Sequence, residues 1–321
     1  MATLKEVARE AGVSTITVSR AFDPDAVIRP DTRKQVLAAA ERLGYRPNLV
    51  AKALKQRRSR IIGIIIPSLE NQFYMEFLKY LEIELNQERY RMLVSFLHPA
   101  VNTERDALSL MEGSRVDGLF FSPRGMENQA LVERMAKDIQ LMQLFTAPYP
   151  GIDSLTFRDR KAVQDAIERL LSLGHRRILY LGYPGDGRVM GYWDAFSSHG
   201  LPVNSSFVIE EWQEQDLLTK SLKELRPTAV LAVAKQAERA MLSIRDLLWR
   251  IPEDISLIAF DDSQWAHILQ INAITHDHRQ AAKLAARSML FHLSEENRQL
   301  QFPCLDTFYI ERSSVDKPPA E

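Results

Sequence analysis

One short stretch of the chain gathers side chains rich in hydrogen-bonding groups. Ser14, Thr15, Thr17 and Ser19 offer hydroxyls and Arg20 offers a guanidinium. Hydroxyls and guanidinium groups suit phosphate oxygens and base edges; Arg20 can fork onto a guanine, and the neighbouring Ile16 can meet a thymine methyl. Catalytic chemistry finds no comparable grouping. Gly182-Tyr183-Pro184-Gly185-Asp186-Gly187 follows an expected strand, but it fits neither the GxGxxG nor the Walker spacing. Pro184 also removes a donor, so a plain strand-to-helix loop is expected. His276-Asp277-His278 has no further Cys or His at ligand spacing and reads as a linker, not a metal site. Cys304 has no motif around it and reads as a buried thiol. Ser122-Pro123-Arg124-Gly125 is not a nucleophile elbow. The chain is therefore read as a non-enzyme with no cofactor and no metal.

The elements that would position the hydroxyl-rich stretch are legible around it. Thr3-Leu4-Lys5-Glu6 is a capping box, and Leu4, Val7, Ala8 and Ala11 share a face at helical spacing. Gly12 ends that helix, and Ser14 caps a second one over 15–22, with Val18 turned back towards the first. Two short helices joined by a Gly-containing turn are a helix-turn-helix pattern. A third helix starts at Pro30, carries Val36, Leu37, Ala40 and Leu43 as its apolar stripe, and ends at Gly44. Asn48, after Pro47, can cap a short further helix over 49–55, which is marginal unless docked. A three-helix bundle with a solvated polar face is the plainer alternative.

Charge supports a polyanion partner for this region alone. Residues 1–60 hold 13 Lys/Arg against 6 Asp/Glu, whereas the whole chain has 41 against 42. A basic head on an acidic body is the footprint of nucleic-acid binding, although a locally basic surface with no partner has the same charge. No apolar run approaches the roughly 20 residues of a membrane span. The first residues lack a signal-peptide core, and a single cysteine cannot form an internal disulfide; together these favour the cytoplasm.

From residue 61 onward short apolar runs alternate with amphipathic stretches. Strands are expected at 61–66, 92–96, 118–121, 141–145, 177–181, 207–210, 229–234 and 255–260, with helices between them, such as 73–88 with Phe77, Leu81 and Leu85 on one face. This alternation implies α/β architecture, with parallel sheets covered on both sides. Two such sets, split near 155–159, make a two-lobed body with a cleft.

The head resembles the DNA-binding headpiece and hinge of the LacI/GalR family. The resemblance rests on Glu6-Val7-Ala8, Ala11-Gly12-Val13-Ser14, Thr17-Val18-Ser19-Arg20, Leu43-Gly44-Tyr45-Arg46-Pro47-Asn48 and Ala53-Leu54. It implies that Thr15, Ile16 and Arg20 face bases in the major groove, and that Ser14, Thr17, Ser19 and Tyr45 contact phosphates. It further implies that the hinge helices of two subunits pair in the minor groove. Asn48 and Ala51 would then lie nearest the DNA, and Leu54 would wedge between base steps. Asp23 departs from the Asn common there and would repel phosphate; Arg29 can partly compensate.

The body resembles the same family's periplasmic-binding-protein-like core. The matching residues are Val116-Asp117-Gly118, Leu173-Gly174-His175-Arg176-Arg177-Ile178, Ile251-Pro252-Glu253-Asp254-Ile255, Phe260-Asp261-Asp262 and Ile310-Glu311-Arg312-Ser313-Ser314. The resemblance implies crossovers near 155–159, 273–277 and 305–308, a homodimer, and an effector site containing Phe73, Tyr74, Arg188 and Trp212. For each aromatic, lobe core is the competing reading. Lys235 stands where the family commonly has an Asp that accepts from sugar hydroxyls; Lys only donates. With Arg188 it would hold a phosphorylated sugar or another anion; otherwise Lys235 faces solvent and the ligand pose differs, or the core binds no small molecule. The expected organisation is a headpiece at 1–47, hinge and linker at 48–60, core at 61–315 and a loose tail at 316–321. The expected function is a repressor on a pseudopalindromic double-stranded operator, controlled by a sugar or sugar phosphate. An effector-independent regulator and a cytoplasmic solute-binding protein are the alternatives.

Overall fold

The computed structural model describes residues 2–23, 26–46, 58–98, 102–210, 214–294 and 299–320. They fall into two compact units, Met1–Arg60 and Ile61–Glu321.

The first unit is built on α1 (Leu4–Glu10), α2 (Thr15–Ala21) and α3 (Pro30–Arg42). The capping box forms: the Thr3 side chain accepts from the Glu6 N–H at 3.3 Å, and a Glu6 carboxylate oxygen accepts from the Thr3 N–H at 2.7 Å. Ser14 Oγ accepts from the Thr17 N–H at 3.1 Å to start α2, and Gly12 supplies the left-handed turn between the helices at φ +61°. The shared core is Val7, Ala8, Ala11, Val18, Ala21, Val36, Ala39 and Ala40. Leu37 and Leu43, expected in the α3 stripe, are instead exposed. Small alanines let the helices approach along Val36, Ala39 and Ala40, and this narrow contact leaves both leucines outside it. Gln35 donates to the Ala11 carbonyl at 3.1 Å, and Arg33 to those of Ala21 and Ala26 at 3.1 and 2.9 Å. The bonds to Ala11 and Ala21 satisfy carbonyls that the ends of α1 and α2 leave open, and the bond to Ala26 ties down the loop that follows α2.

The second unit has two lobes. In the first, β1 (Ile61–Ile66), β2 (Arg91–Phe96), β3 (Gly118–Phe121), β4 (Gln140–Leu144), β5 (Asp153–Phe157) and β11 (Cys304–Leu305) pair in the order β11-β5-β4-β3-β1-β2, all parallel. Helices α4 (Gln72–Gln87), α5 (Glu104–Gly113), α6 (Gln129–Met135) and α12 (His278–Ser294) cover this sheet. In the second lobe, β6 (Ile178–Leu181), β7 (Val208–Ile209), β8 (Ala229–Val233), β9 (Ser256–Phe260), β10 (Asn272–His276) and β12 (Thr307–Ile310) run in the order β12-β10-β9-β8-β6-β7. Only β12 is antiparallel among these pairings. Its helices are α7 (Asp159–Ser172), α8 (Val189–Ser198), α9 (Gln215–Leu225), α10 (Lys235–Asp246) and α11 (Gln264–Ile268). Strands such as β1, β3, β8 and β9 are buried on both faces, as helix-covered parallel sheets require. Helices α7 and α8 touch backbone to backbone at Gly191, where a Cβ would lie 2.1 Å from the Arg160 carbonyl oxygen.

The chain crosses between lobes after β5, after β10 and between β11 and β12. Two of these segments, β5 and β10, are strands up to the crossing point. Their polar members (Asp153, Ser154 and Thr156; Asn272 and Thr275) hide the apolar pattern in the sequence. Two further expectations are corrected. Cys304 is exposed, because it lies on a short edge strand. The stretch from Asp316 is not loose at its start. The Asp316 carbonyl accepts from His175 at 2.8 Å and from Ser256 at 3.2 Å, and the Asp316 N–H donates to Ser256 Oγ at 3.1 Å.

Candidate DNA-binding surface and effector cleft

Helix α2 buries Val18 and Ala21 and turns its remaining side chains outward. Ile16 is 61% exposed, a large apolar side chain with nothing of its own unit over it. Ser14, Ser19 and Arg20 are exposed beside it, and Thr15 and Thr17 are half-buried. Ser14 and Thr17 hydroxyls bond each other at 2.9 Å; the cap uses part of their capacity and leaves lone pairs outward. Tyr45 is half-buried against Phe22, ring centroids 5.7 Å apart, and burial raises its phenol above the usual range. The sequence-chosen residues from Ser14 to Arg20 thus share one short helix and its cap, while Tyr45 belongs partly to the core. Asn48, Ala51 and Leu54 lie outside the described residues.

In the second unit the strands' C-terminal ends meet between the lobes, the position where open α/β sheets bind ligands. Three non-glycine residues with positive φ stand there, each immediately after a strand: Phe145 (φ 70°) after β4, Ala234 (φ 50°) after β8 and Asp261 (φ 81°) after β9. Such backbone costs about 1–3 kcal/mol per residue and clusters at functional sites. Phe73, at the start of α4, lies edge-on to Phe145 at 4.7 Å and to His276 at 4.9 Å. His276 ends β10, so this ring spans the two lobes. Tyr74 is half-buried beside it, and burial pushes its phenol up to about 12.

The ionisable groups form a compact network. Asp186 accepts from Arg188 Nε at 2.7 and 2.8 Å and from the Arg188 N–H at 3.0 Å; the guanidinium lies 4.6 Å from the Phe260 ring centre. Burial works against the Arg188 charge, but Asp186 and Asp159 together hold its affinity for protons above the ordinary arginine range. His276, only 2% exposed, pairs through Nε2 with Asp159 at 2.8 Å, and Thr307 donates to the same carboxylate oxygen at 3.0 Å. Burial pulls Asp159 upward, yet the His276 hydrogen bond and the charges of His276 and Arg188 hold it below the usual range. Asp261 goes the other way: burial raises it more than His276 and Arg188 lower it. His276 Nδ1 is 3.9 Å from Asp261. Across the cleft, Lys235 at the start of α10 pairs with Glu70 of the first lobe, and Gln72 Oε1 accepts from the Gln264 N–H at 3.2 Å.

The structure therefore brings Phe73, Tyr74 and Arg188 into one cleft. Lys235 sits at its rim, engaged by a carboxylate; Trp212 lies outside the described residues. The sequence reading missed Asp159, Asp186, Asp261 and His276. Asp186 stands two residues before Arg188 and resembles an ordinary loop acid. Asp159 and His276 are 117 residues apart, so only the fold unites them. No group of three or more His, Cys, Asp or Glu suited to a metal exists among the described residues. Nor is any helix among them long and apolar enough to cross a membrane.

A helix-turn-helix unit followed by a two-lobed binding core defines a ligand-responsive DNA-binding regulator. The pattern described as "Bacterial regulatory proteins, lacI family" matches residues 3–48, and "Periplasmic binding protein-like domain" matches 167–315. The HTH-type transcriptional regulator DegA of Bacillus subtilis is 30% identical over 81% of this chain and 82% of its own. Catabolite control protein A of Priestia megaterium is 27% identical over 92% and 93%. The Lac repressor bound to ONPG in its repressed state superposes with a TM-score of 0.84 at 24% identity, covering 98% of this chain and 99% of that one. The chain belongs to the LacI family: it is a DNA-binding transcriptional regulator, not an enzyme.

Proposed function

We propose that this regulator represses transcription in the cytoplasm as a homodimer on a pseudopalindromic operator, and that a polar, sugar-sized effector in the cleft controls it. The outward face of α2 carries the DNA reading, with Ile16 exposed between hydroxyls and Arg20. In this reading Thr15, Ile16 and Arg20 meet bases, Ser14, Thr17, Ser19 and Tyr45 meet phosphates, and Asn48, Ala51 and Leu54 act from the hinge in the minor groove. The effector lies among Phe73, Tyr74, Arg188 and Asp261, with Trp212 as a further contact. Named relatives support the class of ligand: one is a ribose operon repressor, and one similar structure is a complex with cellobiose. The ligand acts by preferring one lobe arrangement over the other.

The test is selective retention of genomic fragments by the full-length protein, followed by salt titration of the best fragment. Affinity should fall steeply between about 50 and 200 mM salt, and a sugar should change it. Retention of no fragment above background, with and without a sugar panel, would overturn the reading.

A further inference from the structure

We infer that Asp186 and Glu70 are specificity-determining residues that make the cleft select a neutral effector and reject anions, an inference that rests on the cleft being the effector site. The two cations that would hold a phosphorylated ligand on one reading of the sequence are both already engaged. Asp186 occupies the Nε edge of Arg188 at 2.7 and 2.8 Å and fixes the guanidinium on the Phe260 ring. A guanidinium grips phosphate through such a forked edge. The donors left on Arg188 can serve a hydroxyl or carbonyl oxygen, but the charge that would attract an anion is cancelled.

Lys235 is treated in the same way by Glu70 from the opposite lobe. Behind these pairs stand two further acids, Asp159 and Asp261, so two cations face four carboxyl groups, with the His276 imidazole between Asp159 and Asp261. Arg124 reaches Tyr74 electrostatically from the first lobe, but it is exposed, where solvent and salt screen its charge. An incoming phosphate would meet carboxylates held in place on both sides. A neutral polyhydroxyl ring would find acceptors at Asp159 and Asp261, donors at Arg188, and an aromatic wall at Phe73.

The probe is inorganic phosphate, titrated at constant ionic strength into the full-length protein and followed by calorimetry and melting temperature. The variants are Asp186→Asn, Glu70→Gln, the pair together, and the pair with Arg188→Met; circular dichroism checks each fold. Wild type should show no saturable phosphate binding. Neutralising Asp186 should raise phosphate affinity about tenfold and neutralising the exposed Glu70 about threefold, and Arg188→Met should abolish most of the gain. Glu70 is exposed at the rim, so Glu70→Gln keeps the test alive if Asp186→Asn disturbs its loop. Saturable phosphate binding by wild type that Arg188→Met removes would overturn the inference. So would folded variants that gain nothing. Neutral sugars that still shift wild-type melting would then leave the effector-cleft reading standing; a flat response to them as well would remove both.

Discussion

Replacing Ala234 with glycine should stabilise the core, the opposite of the usual effect of Ala→Gly at the start of a helix. Ala234 follows β8 and caps α10 with φ 50° and ψ −125°, a conformation natural to glycine and strained for any residue with a Cβ. Its backbone is held there by the Ala234 N–H donating to the Phe260 carbonyl at 3.0 Å, and by its own carbonyl accepting from Ala237 at 3.0 Å. The strain relieved is about 2 kcal/mol, the middle of the range for such residues. Against it stand the extra freedom of glycine in the unfolded chain, about 0.7 kcal/mol, and the loss of a half-buried methyl, about 0.4 kcal/mol. The net gain is about 1 kcal/mol, or roughly 2–4 °C in a domain of this size. Urea unfolding followed by tryptophan fluorescence, with the slope held constant, measures it directly. A loss of about 1 kcal/mol, as expected of an unstrained alanine, would show that this backbone carries no strain.

Acid should weaken the core through His278. Burial first, and then the nearby His276 charge, depress its imidazole to about 4, with Glu76 and Asp277 opposing weakly. The neutral form is therefore favoured in the fold, so stability is complete above the unfolded value of about 6.5 and is lost as pH falls towards 4, by about 3 kcal/mol. Denaturant midpoints from pH 7.5 to 4.5 should fall for wild type and fall less for His278→Gln, where the same-signed effect of His175 persists. Arg20→Ala should cost about 1–3 kcal/mol of operator affinity with thermal stability unchanged within about 0.5 kcal/mol. A gel shift beside a melting curve separates the two effects, and equal losses of both would make Arg20 structural. Gly191→Ala should destabilise by more than about 3 kcal/mol, because its methyl would strike the Arg160 and Gln164 backbone and not a movable side chain. A soluble variant with wild-type melting would contradict the close approach of α7 and α8.

Local chemistry made the headpiece readable in sequence. Thr3 with Glu6, Ser14 with Thr17, and Pro30 are signals spent within three or four residues of each other. Strands buried on both faces, such as 61–66 and 229–233, were equally plain. What escaped depends on distance or on backbone angle. Asp159 and His276 become partners only when β10 is laid beside α7. β5 and β10 open on Asp153 and Asn272, buried polar residues whose partners, Gln140 and Tyr309, come from other strands. Arg188 and Lys235 stand out in the sequence as cations, but nothing in it hints that each already has its acid. The left-handed backbone at Ala234 leaves no compositional trace, since alanine is the last residue expected there.

These contacts also bear on how a ligand can govern the core. Cross-cleft ties of the described residues include the Lys235–Glu70 pair, the Gln264 N–H to Gln72, a side-chain hydrogen bond between Asn71 and Asp261, and the Phe73 and Phe157 rings against His276. Glu70 is 71% exposed, so its pair contributes at most about 1 kcal/mol. Each hydrogen bond adds about 1 kcal/mol net, and each ring contact about 0.5–1.5 kcal/mol. Ties summing to about 3–6 kcal/mol are comparable to the roughly 4 kcal/mol that an effector binding one lobe arrangement alone supplies at about a thousandfold its dissociation constant. Each lobe, by contrast, is fixed by a sheet buried on both faces. A ligand therefore finds a soft seam between two stiff bodies, and binding energy spent there appears as lobe rotation and not as local melting.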